Sequence, residues 1–142
     1  MDSSSRTVVP SNGIFALDWV DGPHSNSPTS AIVASFTDFR AENHDDLKEI
    51  FDTGIELGKN WPIMEGAIGL WLWGKPADLR GGSLSFWRSE ADLRRFVGWR
   101  VHTTIIQKWR SRVTVRSRTW HDEEFRPSDA WVRAERLMVG AH

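Results

Sequence analysis

The stretch that most constrains the fold runs from Gly81 to Arg112, GGSLSFWRSEADLRRFVGWRVHTTIIQKWRSR, where a strand pattern passes into a helical one without a linker. Ser83 to Trp87 alternates polar and apolar as a strand does. Ser89 with Asp92 then forms an S-x-x-D capping box ahead of an apolar run. Asp92 to about Arg110 is predicted as one long helix, bent near Gly98. Leu93, Phe96, Val97, Val101 and Ile105 form one stripe on it, and Trp99, His102, Ile106 and Trp109 form a second. A helix apolar on two sides must be covered on two sides. His102 is therefore expected at an interior surface, where a ring that titrates near neutrality has chemical consequences.

The rest of the chain extends this pattern. Residues 1–12 are Ser-rich and polar and are expected to be disordered, leaving 13–142 as a single domain. Ile14 to Val20 is expected as a short strand or ordered arm, and Asp21 to Ser30 (DGPHSNSPTS) as a surface loop holding His24. Ala31 to Phe39 alternates as the first sheet strand. Asn43 is placed to cap a helix running to about Gly58, with Asp45 and Asp46 at the positive end of its dipole. Glu65 to Lys75 and Ser83 to Arg88 are predicted as the next strands, and Arg112 to His121 as the last. Pro127 opens a terminal helix with Trp131, Ala134, Leu137 and Met138 on its inner face.

The order β-α-β-β-α-β with an added helix is the split, ferredoxin-like arrangement, in which both long helices lie on one side of an antiparallel sheet. If Ile68, Leu70, Leu72, Leu84 and Phe86 meet those helices, the other face is bare and carries Trp71, Trp73, Trp87 and Trp120. So aromatic a face calls for a cover. A homodimer closing two sheets face to face is the simplest one, and two-fold pairing is the commonest assembly.

These residues resemble the dimeric α+β-barrel superfamily, which contains the antibiotic-biosynthesis-monooxygenase-like domains. The resemblance rests on SFWRSEADLRRFV, on His102 and the basic QKWRSR that follows, and on the Trp120 to Leu137 segment, and spans roughly residues 31–138. It implies a ferredoxin-like protomer in a homodimer, and a hydrophobic aromatic or polyketide-like ligand of the kind met in natural-product biosynthesis. It also implies cofactor-free oxygenation, isomerisation or cyclisation. Haem-binding members use a His on the second helix as iron ligand, and His102 sits in a comparable place, so haem is the alternative cofactor. A dimeric binding module without catalysis is the third reading.

Within that frame His102 is expected as general base or axial ligand. Arg116 and Arg118 project together from the last strand and are expected to hold a phenolate, enolate or carboxylate. Trp99, Ile106 and Trp109 are the expected pocket walls, between helices and sheet. Trp71, Trp73 and Trp87 offer stacking surface to a flat ligand, with dimer core as their alternative role. Nine Trp and no Tyr point to an aromatic-lined interior, with most of these Trp in the core or an interface.

Other classes are set aside on composition. No Cys is present, which removes disulfides and thiolate chemistry. A net charge of −1 gives no field favouring nucleic acid or an anionic membrane. No P-loop, G-x-S-x-G or G-x-G-x-x-G occurs, and no metal-site spacing of His and carboxylates. The chain shows neither a signal peptide nor a membrane-length apolar run, so a cytoplasmic location is expected.

Overall fold

The computed structural model of the chain describes residues 7–25 and 31–142. The expected disorder of the first residues and the tip of the expected loop lie in part outside the described residues, at 1–6 and 26–30. Six strands form one sheet: β1 (Phe15–Ala16), β2 (Val20–Asp21), β3 (Ile32–Ala41), β4 (Ala67–Lys75), β5 (Arg80–Trp87) and β6 (Val113–Asp122). Four α-helices accompany it: α1 (His44–Gly58), α2 (Glu90–Val97), α3 (Arg100–Trp109) and α4 (Pro127–Val139). The strand order is β1-β4-β5-β3-β6, every pairing is antiparallel, and β2 also pairs with β4. The four long strands with α1 and α2–α3 are the expected ferredoxin-like unit.

Local sequence sets the helix ends. The Asn43 side chain accepts a hydrogen bond from the Asp46 amide at 2.8 Å, and α1 runs to Gly58 as expected. The Ser89 hydroxyl accepts from the Asp92 amide at 3.2 Å and donates to the Asp92 carboxylate at 2.8 Å. The helix that follows is shorter than its pattern suggests. α2 stops at Gly98, and Trp99 is extended (φ −64°, ψ 134°) before α3 restarts. This break resets the helical phase, so Val97 and Val101 of the expected inner stripe are exposed.

Register decides which side chains share a face. Val33, Leu70, Leu72 and Trp87 lie on one face, under Phe51 and Ile55 of α1 and Leu93 and Phe96 of α2. At the end of this face Phe39, Ala41, Leu47, Trp109 and Val113 form a second cluster with Ile50 and Ile105. The opposite face carries Ala34, Phe36, Ile68, Trp71, Trp73, Leu84, Phe86 and Trp120.

Two expectations are corrected here. Ile68, Leu84 and Phe86 do not share the face of Leu70 and Leu72. A bulge between Ala67 and Gly69 sends Ile68 across, and Leu84 pairs with Trp71 while Leu70 and Leu72 pair with Ser85 and Ser83. Trp87 is thereby parted from Trp71 and Trp73. Nor is the Trp-rich face bare. α4 covers it with Ala130, Trp131, Ala134 and Met138, and the N-terminal arm adds Ile14 and Trp19. Trp71 meets Trp131 edge-on at 5.6 Å and Trp19 at 4.9 Å, while Phe36 stacks on Trp73 at 5.6 Å. Gly69 is the seat of Trp19, since a Cβ there would fall inside the indole ring. The apolar area expected to recruit a second copy is covered within one chain by α4 and the arm.

The far end of α4 is fastened by a buried ion pair. Arg80 donates to both carboxylate oxygens of Asp38, at 2.6 and 3.2 Å, and both residues are buried. The same guanidinium donates to the carbonyls of Gly140 (2.8 Å) and Leu137 (3.3 Å), where a cation meets the negative end of a helix. The His142 ring nitrogen lies 3.1 Å from the Asp38 carbonyl, and Arg116 donates to the Ala141 carbonyl at 2.8 Å.

Candidate functional site

His102 enters α3 just after the Gly98–Trp99 break, and its Nδ1 lies 3.0 Å from the carbonyl oxygen of Val97. A carbonyl only accepts, so Nδ1 carries the proton and Nε2 keeps its lone pair. Burial lowers the His102 pKa from its ordinary 6.5, against a smaller upward pull from the Val97 hydrogen bond. The ring is therefore neutral at neutral pH, with a fixed tautomer.

Phe96 links this imidazole to the rest of the site. Its ring lies 4.6 Å from His102, 5.0 Å from Trp61, 5.1 Å from Trp87 and 6.5 Å from Trp99, centroid to centroid. Phe96 and Trp99 also wall a groove of about 270 Å³, completed by Asn60, Ile63, Met64, Glu65 and Arg95. The walls are apolar and the charges sit among them already paired. Glu65 accepts from Arg88 at 3.0 Å, and Arg95 donates to Asp92 at 2.8 Å. Burial of Asp92 opposes its ionisation, but hydrogen bonds from Ser89 and Arg95 and the charge of Arg88 outweigh it and lower its pKa. His24, expected in a flexible loop, is half-buried with its amide bonded to the Ala67 carbonyl at 3.1 Å, and its Nε2 lies 3.8 Å from Glu65.

The expected site residues do not all converge. Trp99 lines the groove, but Ile106 is turned to solvent and Trp109 is buried among Phe39, Leu47 and Val113. The Arg112 guanidinium lies 4.3 Å over the Trp109 ring, which makes that indole a packing element. These three therefore do not wall one pocket. Trp87 lies beneath Phe96, whereas Trp71 and Trp73 are sealed in the core on the other face. Arg116 and Arg118 do project together on the side of Trp120, as expected. That is the α4 side, so the sheet stands between them and His102. One base and one arginine cannot serve the same substrate atom across a sheet.

The groove residues from Asn60 to Glu65 were not singled out in the sequence. Their signal is W-P-I-M, a single 3-10 turn (Trp61–Ile63) with Pro at its start, which buries Trp61 and leaves Ile63 exposed. Among the described residues no group of three His or carboxylates is placed to hold a metal, and no helix is long and apolar enough to cross a membrane.

The fold and this site define a ferredoxin-like α+β protein with an extra helix on the sheet face that the unit leaves open. Solved structures share that fold. One is an uncharacterised ferredoxin-fold protein from Listeria monocytogenes related to antibiotic biosynthesis monooxygenases, with a TM-score of 0.57 at 12% identity over 84% of this chain and 70% of that one. Another is LmHde, a heme-degrading enzyme of the same organism, with a TM-score of 0.59 at 12% identity over 77% of this chain and 70% of that one. A third is SnoaB, a cofactor-independent oxygenase from Streptomyces nogalater, with a TM-score of 0.52 at 12% identity over 63% of this chain and 90% of that one. The chain thus shares the ferredoxin-like fold of these three structures, the fold that its motifs implied. No protein-family model matches the sequence, and no curated protein matches it. At such identities the likeness carries the fold and leaves the chemistry to the site.

Proposed function

We propose that the protein is a small cofactor-independent enzyme acting on a flat, apolar, phenolic or polyketide-like molecule. The ligand lies in the groove against Phe96 and Trp99, and His102 Nε2 takes a proton from its phenol or enol. The observation that carries this reading is the held imidazole. A base is useful when it is neutral at working pH, fixed in tautomer and set beside an apolar surface, and His102 meets all three conditions. Proton removal is the step shared by oxygenation, isomerisation and cyclisation, since each needs the electron-rich anion. With Arg116 and Arg118 behind the sheet, the groove itself must steady that anion, and Arg95, which Asp92 also holds, is the cation on its wall.

A neutral imidazole with a free Nε2 also meets the donor requirement for haem iron. The open groove of about 270 Å³ matches a two- or three-ring ligand more closely than a porphyrin, which favours the cofactor-independent reading.

The test is a titration of two- and three-ring phenols, following tryptophan fluorescence and oxygen uptake, for the native protein and His102→Gln. The expected result is quenching in both proteins and turnover in the native one only. Failure of every phenol to quench, or equal turnover in the variant, overturns the reading. A saturable Soret band on adding haemin, lost in His102→Gln, replaces it with a haem protein.

A further inference from the structure

We infer that the cleft between β6 and the last turn of α4 binds a small organic anion, a carboxylate carried on an apolar or aromatic body. This site lies across the sheet from His102 and is independent of the function proposed above. The cleft holds about 120 Å³ and is lined by Phe36, Asp38, Arg116, Arg118, Arg136 and Leu137, closed by Gly140 and Ala141. Two of its arginines come from β6, where Arg116 pairs with Asp38 and Arg118 with Phe36 across the ladder. The third, Arg136, comes from α4, beside Leu137.

Charge accounting separates this cleft from an ordinary basic surface. Among the described residues, Arg118 and Arg136 make no ion pair or hydrogen bond, and the one hydrogen bond of Arg116 goes to a neutral carbonyl, Ala141. Asp38 is the single carboxylate in the lining, and Arg80 already takes both of its oxygens. Glu123 and Glu124, the acidic pair just beyond β6, do not reach its arginines, and Glu124 pairs with Arg126 at 2.6 Å. Three guanidinium groups therefore converge without a counter-charge, in a protein whose net charge is −1. Solvated arginines that guard an edge strand would account for Arg116 and Arg118. They do not account for a third arginine brought in by another element, nor for the floor.

That floor selects the class of anion. Phe36 is buried and held flat on Trp73 (7° between planes), and Leu137 stands beside it. Guanidinium forks match a carboxylate in a bidentate pair. At about 120 Å³ the cleft has room for a carboxylate and the first atoms of its ring or chain. Phosphate shares the charge but gains nothing from an apolar floor.

The experiment follows the arginine Nε–H signals by NMR while benzoate, acetate or inorganic phosphate is added at constant ionic strength. Native protein, Arg118→Gln/Arg136→Gln, Arg118→Lys and His102→Gln are compared. Benzoate is expected to shift these signals saturably, with acetate and phosphate at least about tenfold weaker, and with affinity lost at least about tenfold in the double variant. Arg118→Lys, which keeps charge but not the fork, should fall between them, and His102→Gln should bind as the native protein does. Both arginines are exposed and unpaired, so the double variant should keep its circular dichroism spectrum, and Arg118→Lys decides the matter if it does not. A response that tracks ionic strength without saturating, equal binding of phosphate, or undiminished binding in the arginine variants overturns the proposal.

Discussion

The two faces of the sheet are both aromatic, yet they are covered in opposite ways. On the α4 face Trp71, Trp73, Phe36 and Phe86 meet one straight helix and a short arm, and the cover is fastened at its far end by Arg80. On the other face three helices share the work, and the joint between α2 and α3 leaves Phe96, Trp99 and His102 half-buried. A sealed face makes a core, whereas a broken helix makes a rim where a side chain is both held and reachable. The proposed chemistry sits on the rim, and the arginine cleft sits where the sealed face runs out at β6.

The comparison can be broken at several points. The largest effect is expected from Trp71→Ala against Trp99→Ala in urea unfolding. The first empties a filled core and should cost about 3–5 kcal/mol, while the second, at a half-open wall, should cost clearly less. Equal losses would mean that both faces are sealed alike. Next comes the clamp. Arg80→Met leaves the Asp38 carboxylate buried without its partner and should cost about 3–5 kcal/mol, with much of that recovered in Asp38→Leu/Arg80→Met. A loss in the double variant as large as in the single one would place the importance of Arg80 in its bonds to α4.

The smallest effect concerns pH and the rim alone. The folded His102 pKa lies below its unfolded value near 6.5, so in the window between them the unfolded chain binds more protons. Stability should be complete above about pH 6.5 and fall as the pH drops below it. His102→Gln should flatten that limb of the curve, as followed by thermal melts across the window. An unchanged slope would assign the pH dependence to other groups.

Much of the fold is legible in the sequence because its signals are local. Asn43, Ser89 with Asp92, and Pro127 mark helix starts that the structure keeps. What escapes is what one residue can shift. The extra residue at Ile68 moves a strand's pattern by one place, and Gly98 with Trp99 breaks a helix that the periodicity carries straight on. The amphipathic face of α4 is equally plain in Trp131, Ala134 and Met138, but an apolar stripe states that something is covered and not what. The site divides in the same way. Alternation correctly sets Arg116 and Arg118 side by side, but only packing brings Arg136 to them and puts a sheet between them and His102.

The position of α4 along the chain bears on how the protein is made. Every strand it covers is translated before it, so Trp71, Trp73 and Phe86 leave the ribosome well ahead of Trp131 and Met138. At about 5–20 residues per second, the roughly fifty residues between Trp73 and Pro127 take several seconds to emerge. Until α4 arrives only the N-terminal arm, with Ile14 and Trp19, is there to cover that aromatic face, so the growing chain holds out apolar surface that a chaperone can occupy.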